Sequence, residues 1–518
     1  MHCDISQFQN TTFDLLIVGG GINGAAIANL AAQRGLKVTL LEKGDFASGT
    51  SSKSTKLLHG GIRYLENFEF DLVHESLHER FIQFKSVPHL AKPIRFIIPV
   101  YHGDKRPLWM MKLAVFLYDS LAGCYRIGKH QSLSREELRK LEPHLLNDGL
   151  MGAISYYDVQ MDDARICLEN ILTAQQHGAR VANYIKVMSF IHTDGKITGA
   201  KAVDVLTEKS FDVRAKRIVC TAGPWTNALL RVASPNTKKI VRTTKGIHIV
   251  YKGQLTSNAL LITSRKDNRI FFIIPWLGNS LIGTTDTNYI GNPDQVKVNQ
   301  EDIDYLLKEA SRVLPSVDFS PENIITTFAG LRPLIRKGGA PSKVSRKHFI
   351  METPSGLIVV IGGKYTTYRK IAEECVNRVI ANSEGVKQSL KRLLRRFAPR
   401  NDVNVQYSLY GSGPINDDLN QIARDQGLTL DTIEILIKTY GTRFKAVLAL
   451  TKNQPSLKEP ICTCTPFIKA QIVYAIETEM ARTAEDIIQR RLSLIYRDCR
   501  TKDCERVIAD FINKSIST

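Results

Sequence analysis

The sequence predicts an α/β fold that begins on a parallel strand–helix–strand unit and ends in a helical C-terminal domain. Three observations carry this. Residues 13–18 (FDLLIV) form a short apolar run cut off by glycine, then a glycine-spaced turn, a helical stretch at 22–34 and a second apolar run at 36–41. Residues 357–361 (LIVVI) repeat the pattern late in the chain, running into Gly362-Gly363 and a helix that begins near Thr366. From about residue 401 the pattern is mostly helical, with turns at Gly411-Ser412-Gly413-Pro414 and Gly441.

Composition narrows the classes. At roughly 100–200 residues per domain, 518 residues make about two to four folding units. Hydrophobic residues are 43% and charged residues 23%, which excludes disordered and fibrous chains. The net charge of +19 implies an anionic neighbour: a phosphorylated ligand, a lipid surface or nucleic acid. Nine cysteines are too few and too scattered for a disulfide scaffold. Cys462 and Cys464 form a C-x-C, and Cys499 precedes Cys504 by five positions. Neither pair has zinc-ribbon spacing, so reduced thiols in a reducing cytoplasm are expected and no metal is. The first 33 residues hold no Lys or Arg, so a signal peptide's basic region is missing. Residues 15–33 carry no charge but include four glycines, Asn23, Asn29 and Gln33, which argues against a membrane span.

The first unit has a specific mechanism. Gly19, Gly21 and Gly24 fit G-x-G-x-x-G. The first glycine permits the tight turn, the second lets a pyrophosphate approach the backbone, and the third lets helix and strand pack. The helix N-terminus then presents its positive dipole end to the phosphates. Glu42 lies 18 residues past Gly24, where a carboxylate can bind a ribose 2′-OH and would repel a 2′-phosphate. NADP is thereby disfavoured; FAD and NAD stay open on these residues alone.

The segment 50–65 (TSSKSTKLLHGGIRYL) resembles the second signature of FAD-dependent glycerol-3-phosphate dehydrogenases. Further blocks follow in that family's order: Thr221-Ala222-Gly223-Pro224-Trp225, Lys245-Gly246-Ile247-His248, Ile273-Ile274-Pro275-Trp276, Gly283-Thr284-Thr285-Asp286, Gly330-Leu331-Arg332-Pro333-Leu334 and residues 362–369 (GGKYTTYR). The likeness spans about residues 13–385, with a weaker echo at 482–491 (RTAEDIIQRR) similar to the family's helical C-terminal domain. The resemblance implies a two-lobed fold like that of D-amino-acid oxidase, with a Rossmann-type FAD lobe and a mixed-sheet substrate lobe. On this reading residues 10–385 form the core, with the FAD lobe at about 10–60, 150–230 and 350–385. The substrate lobe takes about 65–145 and 235–345, and the helical domain 390–518. FAD contacts are implied for Gly19, Gly21, Ile22, Asn23, Gly24, Glu42, Thr50, Ser51, Ser52, Ser54, Lys56, Leu58, His59, Gly60, Val187, Ala222, Gly223, Trp225, Gly363, Lys364 and Thr366.

The residues suit those tasks. Hydroxyls and backbone N–H groups at 50–55 match phosphate oxygens and a ribityl chain. Glycines ahead of the helix near Thr366 let a flavin edge approach backbone N–H groups, where the dipole and Lys364 stabilise negative charge. The implied substrate, sn-glycerol 3-phosphate, carries a dianionic phosphate best held by guanidinium groups. Arg332, between Gly330 and Pro333, and Arg63, behind Gly60-Gly61, match substrate positions of the resembled family, as do Tyr64, His248, Lys364 and Thr366. Hydride leaves C2 only as the hydroxyl proton is removed, and a base near neutral pKa suits that step. His248 is the candidate, with Lys364 or Arg332 polarising the C2 oxygen as the alternative. Dihydroxyacetone phosphate would be the product and a membrane quinone the next electron acceptor.

A quinone partner requires contact with a bilayer. Residues 106–121 (RPLWMMKLAVFLYDSL) can lie in the interface with Trp109 and Tyr118 near headgroups, or form a buried helix of the substrate lobe. Residues 386–400 carry six basic residues and no acids, with Leu390, Leu393, Leu394 and Phe397 on one helical side, a pattern suited to an anionic leaflet. The resulting expectation is a protein bound peripherally to the inner face of the cytoplasmic membrane. The C-terminal domain shows no catalytic constellation and is a cap, a homodimer contact or a quinone-side surface. Three rivals remain. A D-amino-acid or sarcosine-type oxidase would need only one Arg. A tRNA-modifying flavoprotein would interleave aromatic residues in its basic run, where segment 386–400 has only Phe397, so no nucleic acid is expected. A non-catalytic flavin-binding module would not need His248, Arg332 and Lys364.

Overall fold

The computed structural model describes residues 5–336, 347–381, 408–498 and 503–517. The first apolar run becomes the strand Thr12–Val18, buried from Leu15 onward and paired in parallel with Val38–Leu41 on one side and Ser210–Cys220 on the other. Helix Ile22–Gln33 joins the first two, so the glycine turn falls at the carboxyl end of the sheet, where open α/β sheets bind ligands. Leu357–Gly362 adds in parallel beyond Ser210–Cys220, and His348–Glu352 closes that edge in the antiparallel sense. Helices Ile22–Gln33, Asp163–Gln176 and Tyr368–Ala381 cover this eight-stranded sheet through Ala25, Ala28, Ile171 and Val376, which are all fully buried.

The second sheet has ten strands. Val241–Tyr251 pairs antiparallel with Ile324–Ile335 along nearly its whole length, and Ala91–Tyr101 does the same with Leu150–Met161. Leu150–Met161, expected with the first lobe, thus belongs to the second sheet. Its long register with Ala91–Tyr101 supplies its hydrogen bonds, and a residue pattern alone does not say which of two sheets a strand joins. The segment 106–121 forms the helix Leu108–Ala122, and neither single expectation describes it. Met111, Val115 and Tyr118 pack inward, while Trp109, Leu113 and Phe116 face outward. No helix among the described residues is long and apolar enough to cross a membrane. The basic segment 386–400 lies outside the described residues.

The C-terminal helices have a core of their own, built on Ile433, Phe444, Ile472 and Ile508. Helix Asp503–Ser517 packs on Lys469–Glu477 and brings together two cysteines far apart in sequence. Cys462 and Cys504, expected as thiols, are joined as a disulfide with their Cα atoms 5.4 Å apart.

This domain meets the first lobe through buried ion pairs. Asp45 accepts from Arg490 Nε at 2.6 Å and from Arg491 Nη1 and Nη2 at 2.7 and 2.8 Å, with all three side chains almost wholly buried. Arg165 reaches Glu479 at 2.7 Å beside them. Burial by itself would raise the Asp45 carboxyl, but the Arg491 and Arg490 guanidiniums outweigh it and hold it at about 2. A depressed carboxyl contributes stability that is complete above the unfolded value of about 3.9 and is lost as pH falls toward about 2. An Asp45→Asn variant takes the close carboxylate from buried Arg491 and leaves Arg490 with Asp486 alone, so urea unfolding near neutral pH should show a loss of about 3–5 kcal/mol. The difference from wild type should shrink between about pH 4 and pH 2. Equal unfolding midpoints at neutral pH would show that the clamp adds nothing.

Candidate active site

At the glycine turn, backbone conformation leaves no choice of residue at two positions. Gly19 has φ +115°, and a Cβ there would lie 2.8 Å from the Thr221 carbonyl oxygen, while one at Gly24 would strike the Gly19 carbonyl. Gly21 caps helix Ile22–Gln33 without a side-chain bond, which leaves the first N–H donors, from Ile22 and Asn23 onward, facing the turn. Ile22 N–H donates to Ser51 Oγ at 2.8 Å. Glu42 accepts from Gly20 N–H at 2.6 Å and Gly44 N–H at 2.9 Å; burial raises its carboxyl against these two donors. Val187 is buried in the apolar cluster that also holds Val18 and Leu41. Ala222 and Gly223 turn the end of Ser210–Cys220 toward Trp225, whose Nε1–H donates to Asp294 at 2.9 Å beneath the Lys43 ammonium.

The 50–60 segment crosses from the first sheet to the second. Thr50, Ser51 and Ser52 form a 3-10 turn, and Thr50 Oγ1 donates to the Leu331 carbonyl at 2.6 Å. Ser54 and Lys56 both turn to Asp163, at 2.6 Å each. Leu58 is buried in a short strand, and His59 and Thr366 are joined by the His59 N–H to Thr366 Oγ1 bond at 3.1 Å. Gly60 N–H donates to the Tyr118 hydroxyl at 2.8 Å.

Three cations expected at the substrate are carried by three elements. Gly61 at φ +81° starts the 3-10 turn that carries Arg63 and Tyr64. Lys364, just after Gly363, places its ammonium 4.2 Å from the Tyr64 ring centre and donates to Ser76 Oγ at 2.8 Å. Arg63 donates from Nη2 to the Tyr64 hydroxyl at 3.2 Å, its guanidinium 5.1 Å from the same ring centre. Arg332 reaches Asp286 at 3.0 Å and Thr284 Oγ1 at 2.9 Å, over Gly246, where no Cβ would fit. Tyr64 and Asp286 are both among the groups that push Arg63 upward, so Asp286 faces both guanidiniums. Burial, assisted by Arg63, draws the Lys364 ammonium down to about 8.

His248 lies on Val241–Tyr251, opposite Phe328 on the neighbouring strand, and the rings stack with centres 5.0 Å apart. Its Nε2 is 3.0 Å from Thr55 Oγ1, and its buried Nδ1 has no hydrogen-bond partner. Burial, then the Arg332 and Lys56 charges, hold the imidazole well below its ordinary pKa, so it is neutral.

The structure thus collects Arg63, Tyr64, Lys364 and Thr366 at one wall and Arg332 and His248 at another, while Ser54 and Lys56 serve the base of the loop. Sequence reasoning missed Asp163, Asp286, Thr55 and Ser76. Asp286 ends a quoted block, and Asp162-Asp163 has the look of a helix start, so both had a local signal. Ser76 had none. It lies on the helix Phe70–Ser86 with Glu79, Arg80 and Gln83, a buried polar stripe. There Ser76 holds Lys364, Glu79 holds Arg369 at 2.9 Å, Arg80 holds Asp158 at 2.6 Å, and Gln83 Nε2–H donates to the Thr366 carbonyl.

Comparisons with known proteins give the family and the fold. The FAD-dependent oxidoreductase family matches residues 14–369, and the C-terminal domain of alpha-glycerophosphate oxidase matches residues 404–517. A glycerol-3-phosphate dehydrogenase of Synechocystis sp. is 38% identical, across 94% of this chain and 90% of its own. An aerobic glycerol-3-phosphate dehydrogenase of Staphylococcus aureus is 35% identical, across 95% and 88%. The structure of glycerol-3-phosphate dehydrogenase from Bacillus halodurans complexed with FAD superposes with a TM-score of 0.78 at 29% identity, covering 99% of this chain and 92% of that one. The alpha-glycerophosphate oxidase of Mycoplasma pneumoniae, at 22% identity and TM-score 0.57, covers 72% of this chain and 96% of its own and shares the fold.

The residues present fit FAD. The N-cap Gly21 offers no side chain, the Ser52 and Thr226 hydroxyls are buried without partners among the described residues, and Gly362 and Gly363 take φ +70° and +87° just before a helix. For an anion held beside Lys364, loss of the ammonium proton above about 8 removes one attractive charge. Binding of inorganic phosphate to the flavin-loaded protein, followed by flavin absorbance, should therefore weaken as pH rises through about 8. A Lys364→Met variant should lack that dependence, and an identical profile in both would place the anion elsewhere.

Proposed function

From the premise that this chain belongs to the FAD-dependent oxidoreductase family, with the C-terminal domain of alpha-glycerophosphate oxidase, we propose that it oxidises sn-glycerol 3-phosphate to dihydroxyacetone phosphate. The single observation that carries the reading is the pairing of two cationic walls, Lys364 and Arg63 on the Tyr64 ring and Arg332 near a buried histidine, linked through Asp286. FAD, when bound, supplies a two-electron oxidant. The chain's own residues do the rest. Arg63, Arg332 and Lys364 neutralise the phosphate dianion, two of them with planar guanidiniums matched to its oxygens. Tyr64 and Thr366 border the same wall. His248 takes the C2 hydroxyl proton on a ring nitrogen, since its neutral form has a free lone pair and Nδ1 lacks a partner. Stacking on Phe328 fixes the ring's plane, and burial keeps water from competing. The C2–H bond and the O–H bond break together, leaving a carbonyl at C2. An amino-acid substrate fits this wall less well, because one carboxylate calls for one guanidinium.

Electrons leave for a membrane quinone, and the lipid contact is the outer side of helix Leu108–Ala122. Trp109 is 65% exposed and Phe116 55%, Phe68 is exposed as well, and Lys105 and Lys112, close to Trp109 in the chain, are exposed. A large apolar patch with cationic neighbours on a chain of net charge +19 suits an anionic bilayer.

Anaerobic mixing with sn-glycerol 3-phosphate should bleach the flavin rapidly, with little effect from glycerol or D-alanine. Arg332→Ala should raise the substrate concentration for half-saturation on the order of 100-fold while FAD stays bound; fast bleaching by D-alanine instead would assign the chain to amino-acid oxidation. A Trp109→Ser/Phe116→Ser variant should lose flotation with vesicles containing anionic phosphatidylglycerol. Full flotation would clear this helix of any lipid role.

A further inference from the structure

The C-terminal domain does more than clamp Asp45. The segment Asp486–Arg491, which carries the two clamping arginines, leads directly into the turn Leu494–Tyr496. That turn delivers the Tyr496 ring into the second lobe, 4.8 Å from the Trp276 ring centre and 5.7 Å from that of Phe328. The Lys56 ammonium sits among all three rings, 5.2 Å from Trp276, 5.4 Å from Phe328 and 5.2 Å from Tyr496, with Asp163 Oδ1 at 2.6 Å. Asn279 Nδ2–H donates to the Tyr496 carbonyl at 3.1 Å and sets the turn's height. Phe328 presents its other contact to His248.

We propose that Tyr496 is a positioning residue: the C-terminal domain uses its ring to close an aromatic box around Lys56 and to back Phe328, and so holds His248 in its dry, neutral state. A buried cation is attracted to ring faces, and three rings with one carboxylate leave it a single position. The box also fills space that water would enter if Tyr496 were small. The charged groups facing His248 are Arg332 from the adjacent strand and Lys56 from the 50–60 loop, with the Thr55 hydroxyl at Nε2. Lys56 in turn faces Asp163, Asp162 and Tyr496. Loosening the box admits water to the ring of His248, which relieves its desolvation and raises its pKa toward the ordinary value. A base that must be neutral to act then loses activity at a higher pH than before.

The inference rests on the proposed role of His248, and two readouts separate the two. The first is the pH profile of flavin bleaching by sn-glycerol 3-phosphate. The second is the titration of the His248 ring by NMR in histidine-labelled holoenzyme, assigned with His248→Asn, which needs no turnover. Tyr496→Leu is expected to slow bleaching about 10-fold or more, to move the acid limb of the profile upward and to raise the His248 titration toward about 6.5. Tyr496→Phe, which keeps the ring, should restore all three. Should Tyr496→Leu not yield soluble flavoprotein, Asn279→Asp, which loses the donor to the Tyr496 carbonyl while keeping an oxygen to accept from Gly253 N–H, carries the same decision. An unmoved His248 titration in the variant overturns the inference whatever the rate, and so does equal impairment by Phe and Leu. Failure of wild type to bleach with this substrate would sink the functional reading and leave the titration to decide on Tyr496.

Discussion

Arg63, Arg332, Lys364 and Lys56 are buried or half-buried cations, and low polarity strengthens repulsion among such groups as much as their pull on an anion. Folding is possible because each is held separately. Asp286 takes Arg332, Asp163 takes Lys56, and Lys364 leans on a serine and on the face of Tyr64. Arg63 rests on the Tyr64 hydroxyl and ring, and burial draws the Lys364 ammonium down to about 8.

Holding those groups recruits elements that do no chemistry. Helix Phe70–Ser86 buries Ser76, Glu79, Arg80 and Gln83 at the spacing that usually marks an apolar face. Burying such a stripe costs much unless every member is paired, so it makes sense only where rigidity of the opposite wall matters. Helix Leu108–Ala122 likewise serves two environments. Its Tyr118 hydroxyl donates to Asp158 and accepts from Gly60 N–H, while Trp109 and Phe116 on the far side meet solvent. The seam with the C-terminal domain follows the same logic, because the carboxylate of Asp45 is shared by two buried guanidiniums, with Asp486 also holding Arg490.

Much of this was legible beforehand where physics is local. The glycine spacing after Thr12–Val18 and the acid at Glu42 depend on neighbours within one β-α-β unit, and a tight turn leaves few residue types that fit. The ordered blocks around His248, Arg332 and Lys364 carried the family and the cofactor. By contrast, the mixed expectation for 106–121 arose because apolar residues all round a helix do not reveal which side is covered.

What the sequence by itself determined was therefore the dinucleotide-binding unit, the flavin, the class of reaction and the list of basic residues available for a phosphate. Each is encoded in short motifs whose backbone demands are met by adjacent residues. Tertiary structure alone decided that Asp163 grips Lys56 across 107 positions, that Ser76 orients Lys364, that Leu150–Met161 joins the second sheet, that Cys462 meets Cys504, and that Tyr496 reaches the wall behind His248. Those partners are far apart along the chain. A serine or tyrosine has the same local preferences whether or not a lysine lies opposite, so only the packing of distant elements could select the pair.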